Sequence, residues 1–194
     1  MIYTFDDLRA KFPNHTDIKG KIRREIQNER LIPISRGLYE TNPQTSGKYL
    51  AGRIYGPSYL SFEYALSEYS LIPEAVVAYT SATFCKRRTK MYQNTFGRFM
   101  YRDIPAEVYP LGIMTHEENG YSYQIATPEK ALCDKLYTIS PVGNLKEMKE
   151  LLFDDLRIDD EELAKFNLRD LNIIAPLYHS TNVKLFARFM QKNI

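Results

Sequence analysis

The stretch that decides the reading is Thr16–Glu40, TDIKGKIRREIQNERLIPISRGLYE. Ile18, Ile22 and Ile26 recur every four residues, an apolar stripe at helical period. Thr16 is a suitable N-cap, and Asp17 places a carboxylate at the positive end of that helix. The opposite face carries Gly20, Arg23, Arg24 and Gln27, with Lys19 and Arg30 on its flank. Between Lys19 and Arg36 there are six basic residues and two acids, Glu25 and Glu29. Leu31–Ile34 and Leu38–Thr41 are two short strands, and Ser35, Arg36 and Gly37 form the turn, with Gly37 suited to a positive φ. A helix with one buried stripe and one basic face, followed by an Arg-tipped hairpin, is the arrangement of a winged helix-turn-helix. In such a module the helix enters a major groove and the hairpin touches phosphate or the minor groove. Arg and Gln are side chains that read guanine and adenine edges. The competing reading is an ordinary surface helix with a solvated charged face.

Working outward, Thr4 caps a helix over Phe5–Lys11 that Pro13 closes. The module therefore shows two helices where a full winged domain has three. NPQTSG at Asn42–Gly47 is a cluster of turn formers and the natural linker. It divides the chain into a module at 1–42 and a larger domain at 48–194. In the larger domain Lys48–Ile54 is expected to be helical. Ser58 is expected to cap a helix over Tyr59–Tyr69, and Ala75–Tyr79 is rich in strand formers. Gly97–Tyr101 and Tyr121–Ile125 alternate as strands do, and Ile113 with its neighbours supplies another. Thr127 and Pro128 are an N-cap and first-turn pair opening a helix to about Tyr137. Leu145–Phe153, Asp160–Phe166, Leu168–Ile174 and Thr181–Gln191 all read as helix. The expected fold is α+β: a small N-terminal winged helix-turn-helix, then a larger α+β domain with a helical C-terminal section.

The 194 residues suffice for real cores, and 44% hydrophobic with 26% charged residues describes a globular chain rather than a disordered one. The formal net charge is only +2, so nucleic-acid binding turns on local patches, not on the total. The two cysteines, Cys85 and Cys133, follow no ligand spacing and are expected to be free, buried thiols in a reducing compartment. The N-terminus lacks the apolar core of a signal peptide, and no window is long enough to span a bilayer. A cytoplasmic location without membrane attachment is the simplest expectation.

Catalytic chemistry is thin. His15, His116 and His179 form no zinc pattern, and His116 with Glu117, Glu118 and the turn Asn119-Gly120 reads as an exposed hairpin tip. No phosphate-cradling glycine loop or nucleophile elbow is present. Glu129 and Asp134 lie five apart, about 140° round a helix, and share no face. Neither a catalytic set nor a metal or other cofactor is expected. The run CKRRTK at Cys85–Lys90 puts Lys86, Arg87, Arg88 and Lys90 between strands, as either a second phosphate-contacting surface or a solvated loop.

Five phrases in order, SRGLYE (35–40), GPSYLSFEYALSEYSLIPE (56–74), YTSAT (79–83), FGRFMY (96–101) and ATPEKALCDKLY (126–137), together resemble the AbiEi-type antitoxins of bacterial abortive-infection systems. The resemblance covers Ser35 to Tyr137. It implies a type IV toxin–antitoxin regulator. Such a protein has a winged helix-turn-helix that binds inverted repeats in its own promoter, and a C-terminal domain that counters a nucleotidyltransferase-like toxin without an obligatory tight complex. On this resemblance the DNA-contacting residues are Lys19, Arg23, Arg24, Gln27, Arg30 and Arg36, and palindromic operators call for two modules, as a homodimer or side by side. The alternatives are a protein-interaction module that no longer binds DNA, and a metal-dependent enzyme acting on nucleic acid through the CKRRTK surface with Glu129 or Asp134.

Overall fold

The structure, a computed structural model, describes residues 1–193. Its N-terminal part runs β1 (Ile2–Thr4), α1 (Phe5–Lys11), α2 (Ile18–Gln27), β2 (Ile32–Ser35) and β3 (Leu38–Glu40). Thr4 caps α1 in a reciprocal box with Asp7. Asp17, not Thr16, caps α2: its carboxylate accepts from the Gly20 N–H at 2.9 Å. Thr16 lies one residue too early to reach the third helical N–H. At the other end Glu29 turns left-handed (φ 57°), and the Arg30 N–H bonds back to the Glu25 carbonyl at 2.9 Å. That closure throws Leu31 back under the helix, where it packs with Leu8 and Ile22.

β3 is the central strand of a three-stranded antiparallel sheet, with β1 on one side and β2 on the other. Strand alternation then sets what each face meets. Tyr3 and Tyr39 pack against Leu8, Ile22 and Leu31 on the helix side. Ile34 and Leu38 point the other way and belong to the main core of the molecule. Gly37 makes the hairpin turn at φ 76°, and its carbonyl accepts from the Phe5 N–H at 2.9 Å, which ties α1 to the β2–β3 hairpin.

The segment 42–47 is a packed connection: the Asn42 side chain accepts from the Gln44 N–H, and Thr45 and Gly47 are buried. A Cβ on Gly47 would stand 2.1 Å from the Tyr79 ring, which is itself stacked on Phe99. In place of one helix over Lys48–Ile54 there is a 3₁₀ turn, Gly47–Tyr49, and a short α3 (Ala51–Ile54). Then follow β4 (Tyr59–Leu60), α4 (Phe62–Glu68), β5 (Ala78–Thr83), β6 (Lys90–Asn94), β7 (Gly97–Asp103), β8 (Ile113–Glu118) and β9 (Tyr121–Ala126). The last third is helical: α5 (Pro128–Tyr137), α6 (Leu145–Glu150) running into a π turn (Leu151–Asp155), α7 (Asp160–Ala164), α8 (Leu168–Ile174) and α9 (Thr181–Asn193). The fold is mixed α+β with a helical C-terminal section.

Six strands form one mixed sheet in the order β6-β7-β5-β4-β9-β8. The pairs β5–β7 and β4–β9 are parallel. The expected helix over Tyr59–Tyr69 is corrected in its first turn. Tyr59 and Leu60 pair with β5 on one edge and β9 on the other, and both are buried, so their backbone groups are satisfied by the sheet. The helix starts only at Phe62, after Ser61, and Ser58 caps nothing: its buried Oγ has no hydrogen-bond partner. Thr127 does cap α5, accepting from the Lys130 N–H.

A buried polar cluster fastens the sheet to the helical section. The Lys130 Nζ lies 3.1 Å from one carboxylate oxygen of Asp134 and donates to the Tyr178 hydroxyl at 2.9 Å. Tyr178 in turn donates to Asp134, and Tyr59 and Ser61 donate to its other oxygen at 3.0 and 2.6 Å. Burial pushes the Lys130 ammonium pKa down against the opposing pull of Asp134, and burial with the same carboxylate pushes both phenols well up. A satisfied buried pair of this kind resists removal of one partner far more than removal of both. Lys130→Met and Asp134→Leu are each expected to cost about 3–5 kcal/mol in urea unfolding, while the double variant costs clearly less than their sum. Small, additive losses would contradict this structural role.

Candidate nucleic-acid interface

On α2, Lys19, Arg23 and Gln27 follow one another at four-residue spacing; Arg23, Gln27, Gly20 and Arg24 lie opposite the Ile18–Ile22–Ile26 stripe and Lys19 lies on its flank. Ile22 is buried, whereas Lys19, Arg23, Arg24, Gln27, Arg30 and Arg36 are all exposed. Of the two acids in the segment, Glu29 is exposed and Glu25 is not. Glu25 is turned inward and 7% exposed, and it takes Lys21 at 2.7 Å, with Arg30 further off at 3.8 Å. Its hydrogen bond from Lys21 holds the Glu25 carboxyl below the ordinary carboxylate range. Arg24 Nε reaches back to the Gly20 carbonyl at 3.4 Å. Among the described residues, Lys19, Arg23, Gln27 and Arg36 make no ion pair and no side-chain hydrogen bond. Arg36 stands at the hairpin tip, beside the left-handed Gly37.

The module's opposite side is attached to the larger domain. Asn94 Nδ2 donates to the Ile34 carbonyl at 2.9 Å, and the Tyr121 hydroxyl donates to the buried Glu40 carboxylate at 3.0 Å. The helices therefore lie outward of their own sheet.

The second basic run divides. Lys86 turns to the Gly56 carbonyl (3.1 Å) and lies over the Tyr55 ring, and Lys90 opens β6 opposite Tyr101. Arg87 and Arg88 are exposed at the mouth of a cleft also lined by Glu63, Arg102, Asp103 and Lys135. Glu63 bonds Lys135 at 2.7 Å and Arg102 at 3.0 Å. The pairing of Lys135 and Arg102 to Glu63 joins α5 and β7 to α4, a juxtaposition that no local sequence pattern signals.

The carboxylates weighed as catalytic are engaged elsewhere. Glu129 accepts from the Asn167 N–H at 2.7 Å, at the start of α8, and Asp134 is enclosed by the Lys130 cluster. His116 stacks on Tyr123, and Glu118 pairs with Lys48 at 2.7 Å. No group of three or more metal-type side chains gathers among the described residues. The expectation of two buried thiols is half corrected: Cys133 is buried, but Cys85 is exposed on the loop that carries Arg87. Among the described residues no helix is long and apolar enough to cross a membrane.

No protein-family profile matches the chain, and no curated protein matches it. Among solved structures it is similar in fold to the RV2827C protein from Mycobacterium tuberculosis. The alignment covers 100% of this chain and 77% of that one, with a TM-score of 0.52 and 14% sequence identity. At that identity the likeness is one of fold alone.

The ion pairs around these faces set an acid limit. Burial opposes ionisation of Glu63, but Lys135 and Arg102 outweigh it and hold the carboxyl below its ordinary 4.5. Glu25 is shifted the same way by Lys21, and Glu40 by its hydrogen bonds against burial. A depressed folded-state pKa contributes stability that is complete above the unfolded value and is lost as pH falls through the folded one. The urea midpoint is expected to be level near neutrality and to fall below about pH 4.5, with Glu63→Gln lower at pH 7 and flatter on the acid side. A Glu63→Gln profile parallel to that of the parent would contradict the assignment.

Proposed function

We propose that this protein is a cytoplasmic DNA-binding autorepressor and the antitoxin of a type IV toxin–antitoxin system. The observation that carries the DNA-binding half is the α2 face itself: Lys19, Arg23 and Gln27 are exposed without intramolecular partners, Arg24 lies beside them, and Arg36 stands at the tip of the adjoining hairpin. The antitoxin half rests on the five phrases shared with the AbiEi-type family.

In this reading β1 to β3 with α1 and α2 form a winged helix-turn-helix, and α2 is the recognition helix. A helix fits the major groove, where Arg23 or Arg24 pairs with guanine O6 and N7, and Gln27 with adenine N6 and N7. Lys19, Arg30 and the wing residue Arg36 meet phosphates, fixing the register of the helix on the duplex. An inverted-repeat operator needs two such modules about one helical turn apart, supplied by a homodimer or by two adjacent monomers. The larger domain opposes a nucleotidyltransferase-like toxin, without a permanent complex.

Arg23→Ala combined with Arg24→Ala is expected to weaken retention of the protein's own upstream DNA more than tenfold in a gel at moderate salt. That corresponds to at least about 1.4 kcal/mol, within the range of one lost base contact. Circular dichroism should be unchanged, since both side chains are exposed. Unaltered retention would remove the assignment.

A further inference from the structure

The cleft beside the loop 85–90 has a volume of about 580 Å³, and its charges do not balance. Four cations line it, Arg87, Arg88, Arg102 and Lys135, against two carboxylates, Glu63 and Asp103. Glu63 is occupied by Lys135 and Arg102. Asp103 is occupied by the loop itself: one oxygen accepts from the Thr83 hydroxyl and the other from the Arg87 backbone N–H, each at 2.6 Å. The guanidinium groups of Arg87 and Arg88 have no ion-pair partner among the described residues.

The loop is also held in a costly shape. Cys85 and Arg87 both adopt left-handed backbone angles, φ 54° and 57°. For residues with a Cβ each such angle costs about 1 kcal/mol or more, so the surrounding contacts must enforce it. Asp103 does so by clamping Arg87 through its main chain, which leaves the Arg87 side chain free. Arg102 is fixed by Glu63 and by its position over the Phe62 ring at 5.2 Å. The result is a cleft with its loop backbone and Arg102 held in place, two free guanidinium groups, and a surplus of two positive charges.

We infer that this cleft binds the polyphosphate portion of a small ligand, with Arg87 and Arg88 as its principal contacts. Planar guanidinium groups match phosphate oxygens two at a time, and the volume lies in the range of small-molecule sites. Ile139 is the only large apolar side chain in the lining, so nothing there selects a base. The site is separate from the α2 face. Asn94, at one end of β6, touches the N-terminal hairpin, while Lys90, at the other end, adjoins the loop. Four residue steps along a strand place the cleft about 13 Å further from the module.

Titration calorimetry of the full chain with sodium pyrophosphate, and in parallel with ATP, is the test. Both ligands are expected to bind, and Arg87→Ala with Arg88→Ala is expected to weaken both at least tenfold while leaving operator retention intact. Arg23→Ala with Arg24→Ala is expected to leave pyrophosphate binding unchanged, so this inference and the repressor assignment fail separately. No heat with pyrophosphate, or binding undiminished in the Arg87/Arg88 variant, would overturn the inference. So would binding lost equally in the Arg23/Arg24 variant. Capture of unrelated duplex DNA by this cleft in place of pyrophosphate would overturn it too, in favour of a nucleic-acid surface.

Discussion

The arrangement depends on a sheet of three short strands that is packed on both faces. Along β3, Leu38 and Glu40 look toward the larger domain and Tyr39 looks toward the helices, a consequence of strand alternation and nothing else. One residue of slip would turn Tyr39 into the main core and Leu38 toward α2. With the register as it is, Ile34 and Leu38 are sealed into the main core while Tyr3 and Tyr39 support Leu8 and Ile22. Each helix then has only one side left for solvent. On α2 that side is the one with Lys19, Arg23, Arg24 and Gln27, and the hairpin beside it ends in Arg36.

Charge is distributed with the same economy. Four acidic side chains near the basic residues are used internally: Glu25 on Lys21, Glu63 on Lys135 and Arg102, Asp103 on the Arg87 backbone, Asp134 on Lys130. A chain with a formal net charge of +2 thereby presents two local surfaces with unpaired arginines. This is why total charge says little about polyanion binding and the partner of each carboxylate says much. It also separates structural ionic groups, buried and multiply bonded, from those left at the surface.

What could be read from the sequence was whatever is decided locally. The α2 stripe, the Gly37 turn, the Asn119-Gly120 hairpin and the Thr127-Pro128 start of α5 depend on residues within a few positions of one another. What could not be read is decided at a distance. β1 is a strand because Tyr3 meets Tyr39, and β4 is a strand because Leu60 finds both Ser81 and Ile125. β6 lies in a polar stretch, KMYQN, at the edge of the sheet, where among the described residues it pairs with β7 alone. Of the site residues, the exposed face of α2 was visible in its periodicity. The cleft was visible only as the run Arg87-Arg88, since Arg102, Lys135 and Glu63 come from three other elements. Lys130 and Asp134 did carry a signal, an acid and a base four apart on an otherwise apolar helix face.

The central claim is that the guanidinium-rich side of α2 and the neighbouring hairpin tip meet a polyanion. The most direct measurement is fluorescence anisotropy of the chain's own upstream duplex, titrated with the parent protein at a series of salt concentrations. The account predicts tight binding at low salt and a linear fall of log affinity with log salt, with a slope of roughly −3 to −6 for the several phosphates each module neutralises. Binding that is absent at low salt, or present but indifferent to salt, would contradict it.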